Sequence, residues 1–243
     1  KGINSGTTNS TDNTIIGFEA ASDNTLDNAD SNTAVGTRAL QALETGDRNV
    51  AIGHQALMAN NIGSDNTAVG MSALANSGNL SRNTAVGTYS LLSNNNAADN
   101  TAVGYSSQIF NAGGHDNTSI GAHSLYRNNT GEYNTAVGHE ALDAATTGTN
   151  TAVGGYSLTS LTTGNGNTTL GYYTMVSATT AIRNTIIGQQ AGQQIQVGQR
   201  NVHIGYTAGL YATGSYNTFV GQSAGRGGTT SAPYSSGTHN TAI

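Results

Sequence analysis

The chain repeats one short phrase at a nearly constant interval. "SNTAVGTRAL" at 31–40 returns as "DNTAVGMSAL" at 65–74 and "YNTAVGHEAL" at 133–142. The motif asparagines stand at 13, 32, 49, 66, 83, 100, 117, 134, 150, 167, 184, 201, 217 and 240. Nine of the thirteen intervals are 17 residues, two are 16, one is 19 and one is 23. A period of this length marks a repeat architecture in which each copy buries its apolar side only against its neighbours. Seventeen residues are too few for a pair of helices, and no apolar pattern of helical spacing persists. The period therefore predicts an all-β fold, a parallel β-solenoid or β-roll with one coil per repeat, as a single repeat domain over 1–243. An irregular coil is expected over 14–31 and an inserted loop over 222–239, where the spacing changes.

Within the motif the fourth residue is always aliphatic, from Ile16 and Val35 through to Val220 and Ile243. The second is Thr in twelve copies and Val at Val50 and Val202. Side chains alternate across a strand, so these two positions share one face. Hydrophobicity assigns that face to the core. The opposite face, with the asparagine, a frequent alanine and the glycine, is then expected outside. A small residue and a leucine follow, as at Leu40, Leu57 and Leu74, and suggest a second short strand before a Gly- or Asn-rich turn such as "NSGNLSR". With coils about 4.8 Å apart, Asn32, Asn49, Asn66, Asn83, Asn100, Asn117 and Asn134 should form a ladder sharing side-chain amide hydrogen bonds.

Composition narrows the function classes. Only 35% of the chain is hydrophobic and 9% charged, which is lean for a globular core, yet its 33 glycines are regularly placed and argue against disorder. A net charge of −5 offers no basic stripe, so nucleic acid is not an expected partner. No apolar run reaches about 18 residues, and membrane insertion is not expected. Two aliphatic side chains per coil make a thin core, and the small-residue face would let another chain approach closely. The chain is expected to be a piece of a longer protein.

"NTAVG" followed by "HEAL" or "YSSQ" resembles the head repeats of trimeric autotransporter adhesins, and the "NTAVG…AL" arrays resemble those of bacteriophage tail fibres. The resemblance covers Asn13 to Ile243. It implies a left-handed parallel β-roll, a homotrimer with three rolls side by side, and an extracellular place on a virion or bacterial cell surface. On that footing the expected function is a structural, receptor-binding segment of a phage tail fibre or phage-like particle that attaches to a host surface. The alternative is a bacterial trimeric adhesin head, with an ice-binding solenoid or a polysaccharide-degrading tailspike behind it. Threonine ranks can match an ordered water lattice, but threonines placed inside the coil would not do so.

No catalytic constellation stands out, and the chain is not expected to be an enzyme. Glu44, Glu132 and Glu140 lack paired carboxylates at comparable positions, and no Ser-His-Asp pattern rises above chance. No cofactor or metal is expected: the six histidines fall in several registers without an HxH or HxxH pair. His203, in the usual alanine position, would be the first candidate if a threefold axis gathered one histidine per chain. Recognition of a cell-surface glycan or protein receptor is expected in "RGGTTSAPYSSGTH" at 226–239, with Arg226, Pro233, Tyr234 and His239. A solvated turn between coils explains that stretch equally well. Tyrosines crowd the second half, and Tyr172, Tyr173 and Tyr206 are the second candidates, against the simpler reading that tyrosine suits strand surfaces. The residues before the asparagines run Arg48, Asp65, Arg82, Asp99 and should form a local ladder of alternating charge.

Overall fold

The computed structural model describes residues 12–22, 26, 28–145, 147–227 and 237–243. The chain divides into two compact units, Lys1–Ala122 and His123–Ile243. The first unit holds β1 (Thr14–Ile16), β2 (Thr33–Val35), β3 (Val50–Ile52), β4 (Thr67–Val69), β5 (Thr84–Val86), β6 (Ser93–Asn94), β7 (Thr101–Val103), β8 (Phe110–Asn111) and β9 (Thr118–Ile120). The second holds β10 (Thr135–Val137), β11 (Thr151–Val153), β12 (Thr168–Leu170), β13 (Thr185–Ile187), β14 (Val202–Ile204), β15 (Thr218–Val220) and β16 (Thr241–Ala242). In each unit the motif strands form one parallel sheet. Each strand pairs with the next motif strand in identical register, as in Thr84↔Thr101, Ala85↔Ala102 and Val86↔Val103. Each unit is thus a parallel β-solenoid. The irregular stretch 14–31 contributes β1, and residues 23–25 and 27 within it lie outside the described residues.

The strand faces are the reverse of the hydrophobicity-based expectation. Ala34, Ala51, Ala68, Ala85 and Ala102 are fully buried, whereas the flanking Thr and Val positions are half-exposed in β2, β4, β5 and β7. Ile16, Ile52, Ile120 and Leu170 are 40–49% exposed. The interior of a 17-residue coil is too narrow for two branched side chains at each layer, so the alanine face turns inward and the larger side chains turn outward. The motif glycines are excluded from substitution by the same closeness. Gly53 has φ +134°, and a Cβ there would lie 2.7 Å from the carbonyl carbon of Gly70 in the next coil.

The segment after each glycine is not the expected second strand, except for the two-residue pair β6 and β8. It is a compact turn in which the second and fourth residues take positive φ, as at Arg38 (58°) and Leu40 (50°). Left-handed backbone at leucine costs on the order of 1–2 kcal/mol. Two gains offset it: Leu40 is fully buried, and its N–H donates to the Ala56 carbonyl of the next coil at 3.0 Å.

That leucine position and the strand alanine six residues before it are volume partners. Most coils combine a small strand residue with a large turn residue, as in Ala34 with Leu40, Ala85 with Leu91, and Thr169 with Met175. Where the strand residue is large, the turn residue shrinks: Ile15 stands with Ala21, Ile186 with Gly192, His203 with Gly209 and Phe219 with Gly225. A Cβ on Gly192 would lie 3.3 Å from Cγ2 of Ile186, and one on Gly209 or Gly225 would fall against the ring of His203 or Phe219. Each layer admits one large inward side chain from this pair of positions.

The asparagine ladder forms as expected. Asn83 Oδ1 accepts the Asn100 backbone N–H at 3.1 Å, and Asn83 Nδ2 donates to the Ala97 carbonyl at 3.2 Å. Asn49 does the same for Asn66 (3.1 Å) and Gly63 (2.8 Å), and Asn167 for Asn184 (3.1 Å) and Ala181 (2.8 Å). Asn134 Oδ1 takes the Asn150 N–H at 2.8 Å. Each side chain therefore ties down the end of the next coil's turn. Amide-to-amide bonds add to this in several layers, for example Asn66 Nδ2 to Asn49 Oδ1 at 3.0 Å. A second, shorter ladder joins Asn111 Nδ2 to Asn94 Oδ1 at 2.8 Å.

Two outcomes follow from these contacts. Asn83→Ala strands the buried Asn100 N–H at roughly 1–3 kcal/mol, while the Ala97 carbonyl keeps its second donor, Asn94 Nδ2 at 2.9 Å. Urea denaturation should show a loss of about 1–3 kcal/mol, with the exposed Asn129→Ala within about 0.5 kcal/mol of the parent. The second concerns His203, which is fully buried, with neither ring nitrogen meeting a partner among the described residues. Burial lowers its pKa from 6.5 to about 4. Between those values the unfolded chain binds a proton that the folded chain refuses, so stability falls as pH drops from 6.5 to 4 and this contribution levels off below 4. The loss is about 3 kcal/mol at 1.36 kcal/mol per pH unit. His203→Phe, matched by Gly209 as Phe219 is by Gly225, should remove that part of the pH dependence when urea midpoints at pH 7.5 and 4 are compared with the parent.

Candidate functional site

The outward face of each sheet is a continuous surface built from the same two strand positions in successive coils. It carries a rank of threonines at the first strand position and a rank of Val, Ile or Leu at the third, layer upon layer about 4.8 Å apart. Thr84 and Val86 of β5 meet Thr101 and Val103 of β7 in register. This face is uncharged and apolar along one rank. The valine rank offers water no hydrogen bonds, whereas the threonines beside it do.

The charge ladder sits on a different edge. Arg48 Nε donates to Asp65 Oδ1 at 2.6 Å and Nη2 to Oδ2 at 2.9 Å; Arg82 repeats the fork on Asp99 at 2.6 and 2.8 Å. The hydrogen bond from Arg48 holds the Asp65 carboxyl below the usual carboxylate range, and Arg82 does the same for Asp99. The alternation is therefore two forward-pointing pairs rather than one continuous ladder. These groups are exposed and screened, so they add little to stability.

In the second unit, aromatic rings gather at the corner just after the strand glycine. His123 stacks on Tyr126 at 5.1 Å and faces His139 at 6.3 Å; His139 meets Tyr156 edge-on at 5.1 Å. Tyr156 stacks on Tyr173 at 4.8 Å and 17°, while Tyr172 stands perpendicular to Tyr173 at 4.4 Å and 86°. Hydrogen bonding to Tyr173 raises the Tyr172 hydroxyl pKa. Arg127 lies 5.6 Å from the Tyr126 ring centre and 4.0 Å from the Asp143 carboxylate. Burial pushes the Asp143 carboxyl up, against the opposing pull of Arg127.

The expected site residues do not form one cluster. Tyr172 and Tyr173 are brought together, and Tyr206, 50% exposed, stands in the register of Tyr172 two coils later. Arg226 is exposed, and its carbonyl accepts the Tyr211 N–H at 2.9 Å. His239 is exposed and stacks on Tyr216 at 4.9 Å and 6°. Pro233 and Tyr234 lie outside the described residues. His203 points into the coil, where its ring stacks on Phe219 at 4.8 Å, so it does not face an axis shared with other chains.

Residue reasoning missed the histidine members of the aromatic corner, His123 and His139. The signal was present: both occupy the first two places after the glycine, as do Tyr156, Tyr172 and Tyr173. Among the described residues no group of three His, Cys, Asp or Glu could hold a metal ion, and no helix is long and apolar enough to cross a membrane. No protein-family model matches the chain, and neither a curated protein nor a solved structure does so.

Proposed function

We propose that the chain is a structural, receptor-binding segment of a phage tail fibre or phage-like particle, working outside the cell as a homotrimer that attaches to a host surface. One observation carries the reading: the outward Thr and Val/Ile ranks leave a long uncharged face half in water within each unit. Packing that face against two further copies buries the aliphatic rank. The apolar gain is on the order of 25 cal/mol per Å² covered, repeated at every layer. A bacterial trimeric adhesin head would use the face in the same way. The role assigned is structural and adhesive rather than catalytic.

The reversed strand faces also favour a second reading. Threonines spaced at strand intervals on an exposed flat sheet can order water, and the argument that hid them inside the coil no longer holds. Ice binding is therefore the competing use of the same surface.

The two readings separate in solution. Light scattering should give a mass close to three times the 24.6 kDa of one chain. Val86→Glu, placed on the outward rank, should reduce that mass to a single chain while the β-type circular dichroism persists. A stable monomer that inhibits ice recrystallisation, and loses this on Thr84→Glu, would replace the fibre reading with the ice-binding one.

A further inference from the structure

The first residue after the strand glycine forms an exposed rank that runs Tyr172, Gln189, Tyr206, Gln222 in successive coils of the second unit. We infer that this rank binds a neutral, extended, β-linked oligosaccharide lying along the coil stack. The inference rests on the attachment reading above and names the class of receptor that one surface takes.

Spacing is the first support. The two tyrosines are two layers apart, about 9.6 Å, comparable with the length of an extended β-linked disaccharide. In such a chain successive sugars are flipped, so every second sugar presents the same face. A ring under every second sugar is the arrangement that this repeat requires.

Ring orientation is the second. Tyr172 is 48% exposed, and a Cβ added to Gly155, in the preceding layer of the same rank, would lie 3.3 Å from its Cδ2 and 3.4 Å from its Cε2. The missing side chain at Gly155 gives the ring its seat. Tyr156 and Tyr173 stack on each other across successive coils, and Tyr172 stands at 79° and 86° to them. Its plane therefore runs along the stack, as a sugar chain lying in that direction needs. Rigid aromatic faces take the C–H face of a pyranose at little entropic cost.

Chemistry is the third. Gln189 and Gln222 are exposed amides between and beyond the rings, each able to donate to one hydroxyl and accept from another. No charged residue occupies the rank from Tyr172 to Gln222, and none occupies the neighbouring rank one residue further on. A neutral glycan meets no uncompensated charge here, whereas a sialylated or sulfated one finds no cation in either rank.

The probes are cellohexaose and chitohexaose, with α-linked maltohexaose as the comparison. The chain has no tryptophan, so tyrosine emission reports binding directly. At least one β-linked hexamer should bind saturably, and maltohexaose about tenfold more weakly. Tyr172→Ala and Tyr206→Ala should each weaken binding about tenfold, and Tyr133→Ala on another edge should leave it unchanged. Should Tyr172→Ala lower the melting temperature, Tyr206→Ala and Gln189→Ala carry the test alone. No saturable binding of either β-linked hexamer, or equal binding by the Tyr206→Ala chain, overturns the inference. A trimer that binds neither hexamer removes the glycan site and leaves the fibre reading intact, whereas a monomer that binds does the reverse.

Discussion

The narrow interior of each coil governs the molecule. One large inward side chain fits per layer from the strand and turn positions six residues apart, and the rest of the architecture accommodates that limit. Alanine faces inward because a branched residue beside a buried leucine would overfill the layer, as close-packed interiors do not stretch. The Thr and Val ranks then have nowhere to go but outward. The surface that a partner, or ordered water, would cover is thus a by-product of the core's width.

A core this thin cannot by itself hold the layers in register, and buried amides supply what hydrophobic burial lacks. Asn49, Asn66, Asn83 and Asn100 each accept a backbone N–H from the next coil and donate to a carbonyl of its turn. Hydrogen bonds are directional, so this ladder fixes where each coil sits on the last, whereas alanine contacts tolerate sliding. Register in turn aligns whatever stands at equivalent positions. The Arg48–Asp65 fork, the Tyr156–Tyr173 stack and the Tyr172 to Tyr206 spacing all exist because residues one or two periods apart are brought onto one line.

Much of this was legible from the period alone. Coil length, parallel pairing, the asparagine ladder and the neighbourhood of Arg48 with Asp65 all follow from a 17-residue repeat. Which face lies inside did not, because alternation identifies two faces without labelling them, and hydrophobicity labelled them wrongly. The decisive signal was a correlation: wherever Ile186, His203 or Phe219 replaces the strand alanine, Gly192, Gly209 or Gly225 replaces the leucine six residues on. The turn was misjudged for a different reason. Leucine is a poor residue for left-handed backbone, and only the burial of Leu40 and its bond to Ala56 make φ +50° acceptable there. At the candidate site the tyrosines were visible, but the role of Gly155 as the seat of Tyr172 depends on contacts between coils that a linear reading does not contain.

A double-mutant cycle at Ala85 and Leu91 tests the width constraint most directly. Ala85→Ile alone should overfill the layer at a cost of about 1–3 kcal/mol, and Leu91→Gly alone should leave a void costing about 2–5 kcal/mol. The pair together reproduces the Ile186 and Gly192 combination found in the second unit. Its loss in urea denaturation should fall below the sum of the single losses by at least about 1 kcal/mol. Strictly additive losses, or an Ala85→Ile chain as stable as the parent, would contradict the account.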